Sequence, residues 1–340
     1  PGVADANMDR SPMLVLTGQG ATTRLHKESH QVMDVVAMYE PITKWAQTVH
    51  HARNIPEIVR KAVRIAKTEK PGACLIELPE DIADHDVDAE PIVPHRFRRP
   101  VPDDKIVDQA WAAIQAAERP IILAGNGTIR RRASTQLRQF VERTGIGVVS
   151  TFMAKGCVDM DDERCLFTIG LQARDHPVRA IEQSDLVITL GYDMVEYHPR
   201  LWNPAHEKTI IHMDFLPAEV DECYDVDVEA VGDLAHTLWM LNERCWRGST
   251  EDSHWDHSHT RAARAAMLAD FASYADDDAE GSIKPQKALW GARQVLGPVA
   301  QEPERPELPD HRHERAEERE AGQRPRAAID PHRERRQHEG

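Results

Sequence analysis

Short apolar runs recur along the chain, separated by polar segments rich in turn formers. The runs DLVITLG (185–191) and TIIHMD (209–214) show no polar alternation, which predicts parallel strands buried on both faces. MLVLTG (13–18), ACLIEL (73–78), PIILAG (120–125), GVVST (147–151) and VEAVG (228–232) read the same way, and PITKWAQTV (41–49) reads as a further strand. Helical spacing appears between them. Val32, Val35, Val36 and Met38 share one side of a segment from His26 to Met38 that Pro41 stops. Asn54, with Pro56 in the first turn and Glu57 three residues on, predicts a capped helix burying Ile58, Ala62, Ile65 and Ala66. Asp103 or Asp104 opens a helix burying Ile106, Ala110, Ile114 and Ala117. Leu137, Phe140 and Val141 mark another, closed by Gly145. Further helices are expected over 177–184, from Asp233 onward with Leu234, Leu238, Leu241 and Cys245 inward, and over 261–274 and 284–296.

Strand, turn and helix in alternation predict an α/β fold. The expectation is a parallel-sheet central domain of dinucleotide-binding-like shape with helices on both faces, preceded by a partial α/β domain. Residues 1–90 form that partial domain, 91–102 a linker and 103–246 the central domain. Residues 247–300 supply linker helices, including an acidic stretch at 276–280, and 301–340 a tail. The tail is Arg, Glu, His and Pro with almost no aliphatic residues, and disorder is expected of it. Residues 4–10 read as the second half of a helix, so an incomplete chain is the expectation.

Composition narrows the function classes. With 340 residues, 41% hydrophobic, there is material for more than one core. A formal charge of −15 opposes general nucleic-acid binding, and Arg130, Arg131 and Arg132 read as a solvated helix start. Five scattered cysteines without a CxxC pair suggest a reducing compartment and no structural zinc, and no apolar run is long enough to span a bilayer. A cytoplasmic protein is expected.

Candidate chemistry is sparse in the bare pattern. Gly125-Asn126-Gly127 after a strand is either a phosphate cradle or a plain tight turn. It lacks the third glycine of a dinucleotide fingerprint and the lysine of a P-loop. His26 and His30 could seat a metal or be solvated, and His254, His257 and His259 lie in a polar segment expected to be flexible. Asp214, at a strand end, could accept a ribose hydroxyl or cap its own turn. No GxSxG and no Cys–His context stands out.

Taken in order, TGQ (17–19), HKESHQVMDVVAMYEPITKW (26–45), NIPEIVRKAVRIA (54–66), PGACLIELPEDI (71–82), LGYDMVEYHPRLWN (190–203) and TIIHMD resemble the thiamin diphosphate-dependent acetolactate synthases, most of all the catabolic, flavin-free kind. The likeness covers about residues 1–300. It implies condensation of two pyruvates to 2-acetolactate with loss of carbon dioxide, thiamin diphosphate with Mg2+ as cofactors, and a homodimer or homotetramer. It implies that Gln31 is the active-site glutamine and that Gly18 and Gln19 lie near the cofactor. The glutamate that activates the cofactor falls before Pro1 in this likeness, and the magnesium motif is absent. Gly232-Asp233-Leu234 does not supply it, so the chain alone is expected to be inactive. Tyr192 to Tyr197 carries no arginine where flavin-bearing relatives do, so FAD is not expected. Pyruvate oxidase, glyoxylate carboligase, or a non-catalytic nucleotide-binding scaffold are the alternatives.

Overall fold

The computed structural model describes residues 1–30, 32–93, 99–130, 133–170, 175–247, 254–273 and 283–296. Gln31, Arg131, Arg132, the acidic stretch at 276–280 and the tail at 301–340 lie outside them. The chain divides into the compact units Pro1–Ala269 and Asp270–Gly340. In the second, helix α11 (Pro285–Leu296) is described, close to the expected bounds.

The first unit holds parallel sheets. In the smaller one, β1 (Met13–Gln19), β2 (Trp45–Thr48) and β3 (Ala73–Pro79) are ordered β1-β3-β2. Central β3 is buried almost throughout. Edge strand β1 is mostly half-buried or exposed, with Leu16 at 68% exposure, so it is not the fully buried strand its composition predicts. Helix α3 (Ile55–Lys67) buries Ala62 and Ala66 against Cys74 and Ile76, with Ile58 and Ile65 at the margin. Helices α1 (Gly2–Met8) and α2 (Val35–Tyr39) lie against β3 as well.

Three local expectations fail here for identifiable reasons. No continuous helix runs from His26 to Met38. A 3-10 turn at Thr22–Arg24 and an irregular stretch precede the short α2, whose N-terminus is set by the Asp34 carboxylate accepting the Ala37 N–H at 2.9 Å. Ile42 belongs to a 3-10 turn, so β2 starts only at Trp45. Asn54 ends another 3-10 turn in right-handed helical geometry, and its side chain caps nothing. Helix α4 (Glu80–Ala83) is a single turn after β3.

The larger sheet is ordered β6-β5-β4-β7-β8-β9, all parallel: β4 (Pro120–Ala124), β5 (Gly147–Ser150), β6 (Cys165–Thr168), β7 (Leu186–Leu190), β8 (Thr209–Asp214) and β9 (Val228–Val231). β4 and β7 are buried along their whole length, as continuous apolar runs require. Strand β6 has no counterpart in the sequence reading. One face of the sheet is covered by α5 (Asp104–Ala116), α7 (Ser134–Thr144) and α9 (Leu234–Arg247). The other packs on α8 (His176–Gln183) and on Tyr192, Tyr197 and Trp202 of the segment after β7. Asp103 caps α5 by accepting the Lys105 N–H, and Gly145 closes α7 at φ 72°. Helix α10 (Ser258–Ser273) starts earlier than its pattern suggests.

After β4 the chain runs outward through β5 and β6, then returns to β7 and continues the other way. The strand order therefore reverses between β4 and β7, and the crevice at the carboxyl ends of these strands is the place where open α/β sheets take ligands. Among the described residues no helix is long and apolar enough to cross a membrane.

Candidate functional site

The crevice between β4 and β7 is filled by the protein itself. Gly191 leaves β7 at φ 57°, and its backbone presses on the next connection: a β-carbon at Gly127 would lie 2.6 Å from Gly191 Cα. Gly125 is equally constrained, with a β-carbon 2.5 Å from Gly191 O. These glycines exist because two backbones meet. The chain enters helix α6 (Asn126–Arg130) directly after Gly125. Where a phosphate would accept the first N–H of that turn, the Glu196 carboxylate does so instead: Oε1 accepts the Asn126 N–H at 3.0 Å, and Oε2 accepts the Thr151 hydroxyl. Burial raises the Glu196 carboxyl above its ordinary range, against the lowering by Thr151 and Asn126. Gly125-Asn126-Gly127 is thus the entry to a short helix whose first N–H is taken by Glu196.

Side chains from the smaller sheet's elements complete the plug. Asp193 accepts from Arg10 Nε at 2.9 Å and lies 3.5 Å from Lys70 Nζ. Burial alone would raise the Asp193 carboxyl, but Lys70 and Arg10 outweigh it and hold it below the usual carboxylate range. Arg130 lies 3.6 Å from the buried Glu69, so it is an interior ion-pair partner and not the solvated cation its sequence context suggests. Asn126 Nδ2 donates to Asp9 O at 3.2 Å. Asp214 caps its own turn, accepting the Phe215 N–H at 2.6 Å, and burial raises its carboxyl.

A second set of polar groups gathers at the carboxyl ends of the smaller sheet. Gln19 at the end of β1 is 8% exposed, and its amide is fully used: Nε2 donates to Glu77 Oε1 at 2.8 Å and to Met33 O at 2.7 Å, while Oε1 accepts the Gly20 N–H. Glu77, 4% exposed, also accepts the Thr48 hydroxyl at 2.6 Å. Three strands thus end on one buried carboxylate. A β-carbon built on Gly18 meets nothing within 4 Å, leaving open space beside the strand end. Gly18 and Gln19 stand at the carboxyl end of β1, and Gln31 lies outside the described residues. Glu77 and Thr48 were missed because single polar residues inside β-patterned runs resemble ordinary rim positions; the signal that could have found Glu77 is an acidic residue inside an otherwise buried run.

The remaining candidates carry other roles. Among the described residues no group of three or more His, Cys, Asp and Glu side chains is placed to hold a metal ion. His257 and His259 are not in a loose segment; His259 is 6% exposed. All five cysteines are free and buried, and burial pushes the Cys157 thiol up to about 12. Asp233 is the N-terminal cap of α9, accepting the His236 N–H at 3.1 Å and pairing with Arg99 at 2.6 Å.

Residues 107–241 match the central domain of thiamine pyrophosphate enzymes. The chain is 34% identical over 240 residues to an acetolactate synthase of Bacillus subtilis (strain 168), covering 70% of this chain and 42% of that protein. It is 34% identical over 245 residues to the catabolic acetolactate synthase of Raoultella terrigena, covering 72% and 44%. It is 31% identical over 242 residues to a glyoxylate carboligase of Escherichia coli O157:H7, covering 70% and 41%. The chain thus spans less than half the length of these relatives.

Proposed function

We propose, from the premise that this chain is a thiamine pyrophosphate-dependent acetolactate synthase-like protein, that it serves a carboligase joining two molecules of pyruvate into 2-acetolactate with release of carbon dioxide. The observation that supports this reading best is the pairing of a plugged central crevice with an open strand end at Gly18. With Glu196 on the Asn126 N–H and Arg10 and Lys70 on Asp193, the described polar groups at this strand reversal are taken up by one another. That weighs against a nucleotide-binding scaffold, and FAD is accordingly not part of the proposal.

Thiamin diphosphate, when bound, supplies the electron sink for a keto acid losing its carboxylate. Of this chain's residues, Gly18, with open space beside it, and Gln19, whose amide is spent on Glu77 and Met33, would lie beside the cofactor. By family likeness, Gln31 would be the active-site glutamine that orients the keto acid. The described residues offer no donor set for Mg2+, and no step is assigned to it.

A second reading, condensation of two glyoxylates, is favoured by the carboligase relative at 31% identity. Incubating a protein of its relatives' full length that carries this chain with thiamin diphosphate, Mg2+ and either keto acid separates the two. Acetolactate from pyruvate is the expected product. A product from glyoxylate without acetolactate transfers the assignment to the second reading, and carbon dioxide from neither acid contradicts both.

A further inference from the structure

The connector after α9 is tied to the larger sheet by groups that the proposed function does not use. Trp255 Nε1 donates to Ile114 O at 2.9 Å, the Asp256 N–H donates to Glu118 O at 2.8 Å, and the His254 ring lies 3.2 Å from Ala117 O. His257 sits on the end of α7, so close that a β-carbon on Gly145 would meet its Nε2 at 3.0 Å. Thr260 presses on Gly147 of β5 in the same way. Farther along, Arg264 donates to Cys165 O at 2.6 Å and to Met160 O at 3.1 Å and lies over the Phe167 ring. Residues 254–264 therefore form a strap along the amino-terminal ends of β4 and β5 that reaches the edge strand β6 at Arg264.

The strap's weak point is His259. Its Nδ1 lies 3.1 Å from Asp256 O, an acceptor, so Nδ1 carries the proton. Its Nε2 is buried with no hydrogen-bond partner. A second proton must go on Nε2, leaving a buried N–H without an acceptor, a cost that opening the strap removes. We propose that residues 254–264 are an acid-released strap: uptake of protons by His259 and His257 detaches the segment from the strand ends while the sheet stays folded.

The charged and titratable groups around these rings are Asp256 on the strap, Arg119 in the turn between α5 and β4, Arg261 on α10, and the two imidazoles themselves; the Thr144 carbonyl at the end of α7 faces His257. Burial is the leading influence on both rings and lowers their proton affinity. Asp256 acts in the opposite direction, while Arg261 at His257 and Arg119 at His259 add to the lowering. Each histidine binds a proton more readily in the open form, so acidification through the ordinary imidazole range favours opening.

Hydrogen exchange on the whole protein tests the strap. Between pH ~7.5 and ~5, protection factors of amides in 254–264 are expected to fall roughly tenfold for each histidine that must take up a proton, while those of β4, β7 and β8 hold. The double variant His257→Gln, His259→Gln is expected to keep its protection at the lower pH. Equal protection of the wild-type strap at both pH values, or loss in step with the central strands, overturns the proposal. So does the same acid loss in the double variant. Should that variant not fold, the ring resonance of His259 in the wild type decides: a midpoint below that of a free imidazole is expected, and one at or above it overturns the proposal.

Discussion

Glu196 and Asn126 lie 70 residues apart in the sequence, yet the carboxylate of one accepts the backbone N–H of the other at 3.0 Å, at the point where the strand order of the larger sheet reverses. An anion from the chain itself holds the place a ligand phosphate takes in other open sheets. Replacing Glu196 with Ala strips a partner from both the Asn126 N–H and the Thr151 hydroxyl, at a cost of roughly 2–4 kcal/mol in urea-induced unfolding. Glu196→Gln keeps an acceptor for one of them and is expected to cost less than half as much.

The same pair sets a pH dependence. The folded-state carboxyl of Glu196 is raised by burial above the ordinary value of 4.5. Its contribution is fully present below that value and is lost as pH rises through the folded value, because there the native state binds more protons than the unfolded one. The stability of Glu196→Gln relative to wild type should therefore improve from pH ~4.5 towards neutrality, measured by urea titration at both ends. A difference independent of pH contradicts the assignment.

Gly191 is expected to be intolerant of substitution. At φ 57° any side chain is strained, and a β-carbon would also lie 2.6 Å from Gly127 Cα, with backbone on both sides and no flexible group to move. Gly191→Ala should cost about 2–5 kcal/mol, the sum of a left-handed residue and an overpacked contact. Chemical denaturation reads it directly.

Asp193→Asn removes the charge that faces Arg10 and Lys70 and should loosen the smaller sheet from the larger. Arg10 keeps about a quarter of its side chain in solvent (24%), so the expected loss, about 2 kcal/mol, is smaller than for a fully buried pair. Because Asp193 is held below 3.8, its contribution is present above that value and is lost as pH falls through the lower folded value. Limited proteolysis should then cut the 9–12 segment faster in the variant.

At the smaller sheet, Gln19→Leu leaves the Met33 carbonyl and the Gly20 N–H without their side-chain partner and deprives Glu77 of one donor. A destabilisation of roughly 1–3 kcal/mol is expected by urea titration. A neutral result would show that the strand-end cluster is not held by this amide.

Much of the fold was legible because burial on both faces leaves an unmistakable trace: PIILA and LVITL contain almost nothing but apolar residues. Strand β6 was not, since it is only Cys165–Thr168, follows a run of charged residues, and carries Phe167 at φ 63°. The helix expected over 26–38 failed for the opposite reason. Its apolar spacing is helical, but tertiary hydrogen bonds, Gln19 to Met33 O among them, fix the segment in another shape. At the candidate site, the position of Gly18 and Gln19 at a strand end was legible from the run that precedes them. The closure of the central crevice was hidden, because Glu196 sits in a segment with no periodicity and its partner is a backbone N–H, which leaves no mark in side-chain patterns.

The closure of the crevice between β4 and β7 by Glu196 is the central feature of this chain. Calorimetric titration of ADP and of FAD into the wild-type protein tests it most directly. No saturable heat from either is the predicted result, since Glu196 and the ion pairs of Asp193 already occupy the crevice. Micromolar binding of either nucleotide, abolished by a bulky residue at Gly127, would contradict it.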